Sequence, residues 1–283
     1  MFKRMFVAMS AFTLVALCST SLSAQHAKPE ESFNLQASVV VNAFQSVTEQ
    51  HLKSILNGLK ILASTDDVGS AEWPRIQSPL TQFSQLVPSA AVVFFARPDG
   101  SYFTVDQGLT AENLKSRDYF PILMAGHDVG GRLVVSKSTG KKSIVIATPG
   151  RRNGQVVGAL GVSVSVEKLS ALINEHLKLP DDVVFYVLDG EGKTTLHRDS
   201  ALLFEFPSDM GSPTLAGAVQ KMLAEPSGVV RYTFRGQDKV AVFSKSAATG
   251  WVFVLGKAGA AAAQQDAGRG ATPSISRTLM PRA

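Results

Sequence analysis

Between about Glu31 and Ser64 the apolar residues Phe33, Ala37, Val40, Phe44, Val47, Ile55, Leu59 and Leu62 recur every three or four positions. That spacing predicts an amphipathic helix. No proline interrupts it, and Thr65-Asp66-Asp67 with Gly69 supplies the stop. About 34 residues at 1.5 Å each make a rod of roughly 50 Å. A rod that long must lie along more than one module or pair with a second copy of itself. Packing helix and dimer helix are both open at this point. A shorter helix is expected from Pro74 to Leu86.

The pattern then changes period. Val92 to Phe95 is an apolar run, Arg97-Pro98-Asp99-Gly100 a turn, and Tyr102 to Val105 a second strand. Asp-Gly between such runs is a hairpin signal. A short helix is expected over Arg117 to Ala125, with Ser116 as its cap. Strands follow at Leu133 to Ser136, Ser143 to Thr148 and Val156 to Val166, the last two joined through Asn153-Gly154. Two strands, short helices and three antiparallel strands is the order of a PAS-like module, in which helices cover one face of a five-stranded sheet.

About 90 residues on, the pattern repeats. Val183 to Leu188, Asp189-Gly190-Glu191-Gly192 and Lys193 to His197 form a second hairpin, so that Asp99-Gly100 and Asp189-Gly190 occupy corresponding turns. Ser212-Pro213 opens a helix to about Ala224, with serine as cap and proline in the first turn. Val229 to Phe234, Val240 to Ser244 and Trp251 to Leu255 close the second sheet, and Glu167 to Leu179 reads as a linking helix. The expected fold class is therefore α+β: a long N-terminal helix, then two tandem PAS-like modules, each an antiparallel sheet flanked by helices. The expected division is a leader at 1–24, the helical segment at 25–87, a first module at 88–166, the linking helix at 167–179, a second module at 180–257 and a tail at 258–283. The tail, rich in Ala, Gly, Gln, Ser and Arg, is expected to be disordered.

Charge and cysteine narrow the picture. The formal charge of +5 could suggest a nucleic-acid partner. Lys3 and Arg4 lie in the leader, however, and Arg269, Arg277 and Arg282 in the tail. The middle is left almost neutral, which argues against a duplex-binding face. Lys3-Arg4, the apolar stretch Met5 to Cys18 and Ser21-Leu22-Ser23-Ala24 read as an export signal cleaved after Ala24. The apolar stretch falls short of the roughly 20 residues that span a bilayer. Cys18 is the single cysteine, and bulky Leu17 before it disfavours a lipid anchor. Without it the exported protein has no thiol chemistry and no cysteine-bound zinc. A protein soluble outside the cytoplasm, periplasmic or secreted, is expected.

Several stretches together resemble the double Cache (PDC-type) sensor domains. Ser116-Arg117-Asp118-Tyr119-Phe120 is similar to that family's Arg-x-aromatic-aromatic helix. Ser138-Thr139-Gly140-Lys141 with Ile144 to Pro149 resembles its third and fourth strands, Gly158 to Val162 its closing strand, and Thr249-Gly250-Trp251 the last strand of its second module. The resemblance spans roughly residues 30 to 257. It implies a protein that senses small molecules outside the cell through the first module. Family members are typically fused through a second membrane helix to a kinase, cyclase or chemotaxis module. Only the tail follows Trp251 here, so a free-standing ligand-binding protein that signals through a partner, such as a membrane histidine kinase or chemoreceptor, is expected.

Arg117 is the first candidate for ligand contact, because a guanidinium takes a carboxylate as a bidentate pair. A surface pair with Asp118 or another acidic neighbour is the bland alternative. Tyr119 and Phe120 would supply aromatic walls. In members that bind amino acids, an acidic residue on the closing strand holds the amino group. Ser163 occupies that position here, and Glu112 stands where those members carry a tyrosine. A serine cannot offset a buried ammonium, so an organic acid is favoured over an amino acid. Ser136 and Ser163 are candidate hydrogen-bonding residues. Asp106 is a weaker candidate that also reads as a turn residue, and Tyr102 reads as core.

Other motifs dissolve on inspection. Gly190-Glu191-Gly192-Lys193-Thr194 lacks the phosphate-loop glycine five residues before Gly192, since Val187 sits there, and it turns a hairpin instead of opening a helix. His197-Arg198-Asp199 copies a kinase triplet with no Asp-Phe-Gly or glycine loop beside it. It resembles a strand end of second Cache modules, where its role is structural. The five histidines are scattered, with no His-Glu-x-x-His pair. No enzyme, metal or cofactor is expected. The leading expectation is a sensor that binds a small carboxylate. The alternative is a ligand-free dimerisation or interaction module regulating a membrane kinase or receptor, with a homodimer formed through the long helix.

Overall fold

The computed structural model describes residues 29–258. The expected leader, and the expected tail beyond Ala258, lie outside the described residues. Helix α1 (Pro29–Ala63) is followed by α2 (Asp66–Gly69), α3 (Trp73–Gln85) and two sheets in succession. The first is a six-stranded antiparallel sheet of β1 (Ala90–Ala96), β2 (Ser101–Thr104), β3 (Gly108–Asn113), β4 (Val129–Val135), β5 (Lys142–Arg152) and β6 (Gln155–Ser165), with spatial order β3-β2-β1-β6-β5-β4. The second contains β7 (Val183–Leu188), β8 (Thr194–His197), β9 (Ser227–Phe234), β10 (Gln237–Lys245) and β11 (Val252–Ala258), ordered β8-β7-β11-β10-β9. Helix α4 (Phe120–Met124) belongs to the first unit, α5 (Val166–Leu177) links the two, and α6 (Pro213–Ala224) belongs to the second. The α+β class with a long leading helix and two antiparallel sheets is what the periodicities indicate. Among the described residues no helix is long and apolar enough to cross a membrane.

Three local expectations are corrected. The first sheet has six strands instead of five, because β3 pairs with β2 at Phe103–Leu109 and Thr104–Gly108. Its sequence GLTAEN is mostly exposed and shows no apolar alternation. The helix expected over Arg117–Ala125 shrinks to Phe120–Met124. A helix starting at Arg117 would put Pro121 at its fifth position, where proline cannot donate the first i→i−4 bond; starting at Phe120 places it harmlessly in the first turn. Ser116 is accordingly no cap, and its hydroxyl instead accepts from Lys137 Nζ at 3.0 Å. The expected stop after α1 is itself a helical turn, α2, with Thr65 at its N-cap.

Helix α1 holds the two sheets together. Its inward face (Ala37, Val41, Phe44, Leu52, Ile55 and Leu59) is buried in one continuous core with Phe95, Ile144, Ile146, Leu160 and Val162 of the first sheet and Phe185, Phe253 and Leu255 of the second. Phe44 meets Phe185 and Phe253 edge-on, at ring separations of 5.3 and 5.1 Å. Lys60 pairs with Asp128 at 2.6 Å, and Gln45 accepts from the Ser244 hydroxyl at 3.0 Å.

Because strand side chains alternate faces, each sheet has a second apolar face turned away from α1. On the first, Val92, Phe94, Tyr102, Val145 and Ala147 pack under Tyr119, Phe120 and Leu123. On the second, Tyr186, Leu188, Val230, Tyr232 and Val254 pack under Leu215, Val219 and Met222 of α6. Corresponding turns are built alike. Asp99 Oδ1 accepts the amide of Ser101, and Asp189 Oδ1 accepts those of Glu191 and Lys193, all at 2.9 Å.

Candidate functional site

The face of the first sheet under α4 brings together most of the residues singled out from the sequence. On β6, Ala159, Gly161 and Ser163 point to this face, opposite Ala96, Phe94 and Val92 of β1. Gly161 is required there, since a Cβ atom would lie 2.2 Å from Cζ of Phe94. Ser163 is flanked by Val92 and Val145 on its neighbouring strands and is 6% exposed.

Tyr119 and Phe120 cover this face and are buried at 3% and 4% exposure. The Tyr119 hydroxyl is pushed up to about 12 by burial, against the opposing charge of Arg117 and with a smaller push from Tyr102. It is therefore a neutral hydrogen-bonding group at any physiological pH. Tyr102, expected to be core, is in the same cluster, with its ring edge-on to Phe94 at 6.1 Å. It is both core and neighbour of the candidate site. Phe94 carried no signal in the sequence beyond its place in an apolar run.

Arg117 is half-buried in the turn before α4. Its backbone donates to Leu114 and accepts from Phe120. Its Nη2 donates to the carbonyl of Val135, at the end of β4, at 2.5 Å. Its Nε is buried and has no hydrogen-bond partner. The alternative of a surface pair with Asp118 does not form.

The polar inventory of this face is unusual for an interior. Arg117 Nε is buried without a hydrogen-bond partner, and Tyr102, Tyr119 and Ser163 bring hydroxyls to the same face. Interior polar groups are ordinarily paired, and each one left unpaired costs about 1–3 kcal/mol. Donors collected in one apolar cluster are suited to a small polar guest. Asp118, next to Arg117 in the sequence, is exposed.

The remaining candidates lie apart. Ser136 is buried, but its hydroxyl accepts from the Thr139 amide and lies 3.3 Å from the Ser138 hydroxyl, so it shapes the β4–β5 turn. Asp106 is exposed in the β2–β3 turn, and Glu112 is exposed on β3. In the second unit, Arg198 donates to the carbonyls of Pro180 and Val183 and pairs with Asp181 at 3.2 Å, binding the α5–β7 connection to β8. Among the described residues no group of His, Cys, Asp and Glu could hold a metal ion.

A family model described as a Cache domain (dCache_1) matches residues 22–262. The ligand-binding domain of the Pseudomonas aeruginosa PAO1 amino acid chemoreceptor PctB, solved with L-Arg, superposes with a TM-score of 0.64 at 18% identity, covering 81% of this chain and 96% of that one. The extracellular domain rpHK1S-Z16, described as that of a histidine kinase, gives a TM-score of 0.69 at 14% identity, with 82% and 96% covered. In sequence, the methyl-accepting chemotaxis protein PscA of Pseudomonas syringae pv. tomato is 25% identical over 162 residues, 54% of this chain and 25% of that protein. The match thus spans about a quarter of the length of that curated relative. The chain belongs to the Cache domain family of extracytoplasmic sensor domains.

Proposed function

From this membership, we propose that the protein binds a small organic acid on the α4 face of its first module and passes the occupied state to a signalling partner. The observation that carries this reading is the buried, unpartnered Nε of Arg117, in the turn that leads into the face bearing Tyr119, Tyr102 and Ser163. A carboxylate accepts from such a donor, and a charge-assisted bond to a guanidinium is about twice as strong as a neutral one. PctB was solved with an amino acid, L-Arg. On the closing strand of this chain Ser163 sits between Val92 and Val145. A serine cannot offset the charge of a buried ammonium, which favours an acid without an amine.

The coupling route follows from what Arg117 touches. Its anchor, Val135, ends β4, and further back on that strand Gly131 abuts Trp251 of the second unit, with 3.4 Å between its would-be Cβ and the indole. A carboxylate that draws Arg117 from Val135 loosens the end of the strand that packs on the second module. The partner that reads this change would be a membrane histidine kinase or a chemoreceptor.

The test is a thermal-shift screen of the exported protein against organic acids, amino acids and purines. A ligand at about 100 times its Kd adds roughly 2.7 kcal/mol, or about 5–10 °C for a protein of this size. A shift with an acid, absent with the amino acid of the same side chain, supports the reading; shifts with amino acids alone overturn it.

One observation favours a second reading, dimerisation through α1. Val39, Val47 and Ile61 are 66%, 56% and 70% exposed. At about 100° per residue they fall within an arc of roughly 80°, away from the buried face.

A further inference from the structure

The second module has its own cavity, of about 250 Å³, on the sheet face that corresponds to the Arg117 face of the first. We propose that this cavity is a second small-molecule site and that it takes a compact aromatic monocarboxylate. The proposal stands independently of the first-module assignment.

Size sets the first limit. An apolar cavity of about 150 Å³ holds benzene, so in proportion this one holds roughly ten non-hydrogen atoms. The walls set the second. Leu202, Met210, Leu215 and Phe234 line it together with Tyr186 and Tyr232, whose hydroxyls lie 3.2 Å apart and share one hydrogen bond, with the Tyr186 hydroxyl also facing Met222 Sδ at 4.0 Å. The tyrosine pair therefore presents ring surface to a guest.

His197 supplies a directed donor. Its ring stacks on Tyr186, with centroids 5.8 Å apart, and its Nδ1 accepts the amide of Asp199 at 2.7 Å. A neutral ring with Nδ1 as acceptor carries its proton on Nε2. Burial pushes the His197 pKa down to about 4, so the ring is neutral at physiological pH. Its Nε2–H has no protein acceptor among the described residues.

Charge sets the sign of the guest. Arg235 and Lys239 stand at the cavity with Asp199 as the opposing carboxylate. Arg235 lies 3.7 Å from Asp199, with side chains 65% and 45% exposed, a contact too loose and too wet to hold the guanidinium against a competing anion. Lys239 donates to Gln237 at 2.8 Å. In the adjoining cleft, Asp181 and Asp182 are paired with Arg198 and Lys257. The mouth is thus cationic, the interior aromatic, and a carboxylate at Arg235 leaves the ring of the guest against Tyr186 and Leu215.

Phenylacetate, phenylacetamide and phenethylamine, titrated into the full-length exported protein while the histidine ring resonances are followed by NMR, test this. Phenylacetate should shift the His197 resonances saturably and phenethylamine should not. R235N, which keeps a residue suited to the left-handed turn at φ 50°, should weaken phenylacetate at least tenfold, a loss of about 1.4 kcal/mol. M210W should block entry, and R117A, in the other module, should leave the phenylacetate affinity of this cavity as it is. The exposure of Arg235 makes R235N safe for folding even if M210W is not. An unshifted His197, phenylacetamide binding as tight as phenylacetate, undiminished binding in R235N, or loss of binding in R117A overturns the proposal.

Discussion

Arg117 donates from Nη2 to the main-chain carbonyl of Val135 at 2.5 Å while its Nε, in the same guanidinium, is buried without a partner. One edge of the group is tied to the sheet and another makes no hydrogen bond, and the proposed ligand role of Arg117 rests on that second edge.

R117A should therefore separate binding from folding. Loss of one net hydrogen bond costs about 1 kcal/mol of stability, a fall of roughly 2–4 °C in melting temperature. Affinity for the acid found in the screen should fall more than tenfold. R117K, which keeps the charge but not the planar fork, should recover only part of it. Calorimetric titration of the three proteins checks this, and unchanged affinity in R117A would remove Arg117 from the site.

Gly161 and Phe94 should behave as a coupled pair. G161A forces a methyl group into the Phe94 ring at 2.2 Å, and overpacking of this kind costs about 1–3 kcal/mol. F94L in the same chain should return at least half of that. Urea unfolding of the two single variants and the double variant gives the coupling; strict additivity would mean the ring is free to move aside.

Phe44 is the joint between α1 and the second sheet. It is 1% exposed and meets Phe185 and Phe253 edge-on. F44A should cost about 3–5 kcal/mol. Hydrogen exchange should show protection falling in β7 and β11 as well as in α1, and a loss confined to α1 would contradict this role.

His197 should make stability depend on acidity. The unfolded chain takes up its proton near 6.5, whereas the folded ring resists until about 4. Between those values the folded state binds fewer protons, so stability is full above about 6.5 and is lost as pH falls, by at most about 1.4 kcal/mol per unit. H197N lacks this titration. His51, lowered by burial in the same direction, contributes equally to both proteins and drops out of the comparison. Urea midpoints of the two proteins at pH 7 and pH 5 should diverge, with the parent losing more; parallel losses would count against a neutral buried His197.

Strong local signals were legible. The three- and four-residue period marks α1 to within two residues of Pro29–Ala63. Asn153-Gly154 marks a hairpin turn whose two residues both take positive φ. Motif order points to Arg117, Tyr119, Phe120 and Ser163; Tyr119, Phe120 and Ser163 lie on one face of the first sheet, and Arg117 lies in the turn before α4, bonded to Val135. Weak signals were lost. β3 pairs its backbone with the edge of β2, which six mostly exposed residues can do without any apolar pattern. Ser136 read as a ligand contact because a serine hydroxyl can bond to a guest or to its own turn, and sequence does not distinguish the two.

Periodicity and turn chemistry act over a few neighbouring positions, so they reveal the long helix, most of the strands, the repeated hairpins and the residue types that could bind an acid. Which side of each sheet α1 covers, and hence which faces remain to hold Arg117 on one module and His197 with Arg235 on the other, is settled by packing. Those residues are far apart along the chain or separated by an irregular turn, and no local rule fixes a contact that only the packing of α1 across both sheets creates.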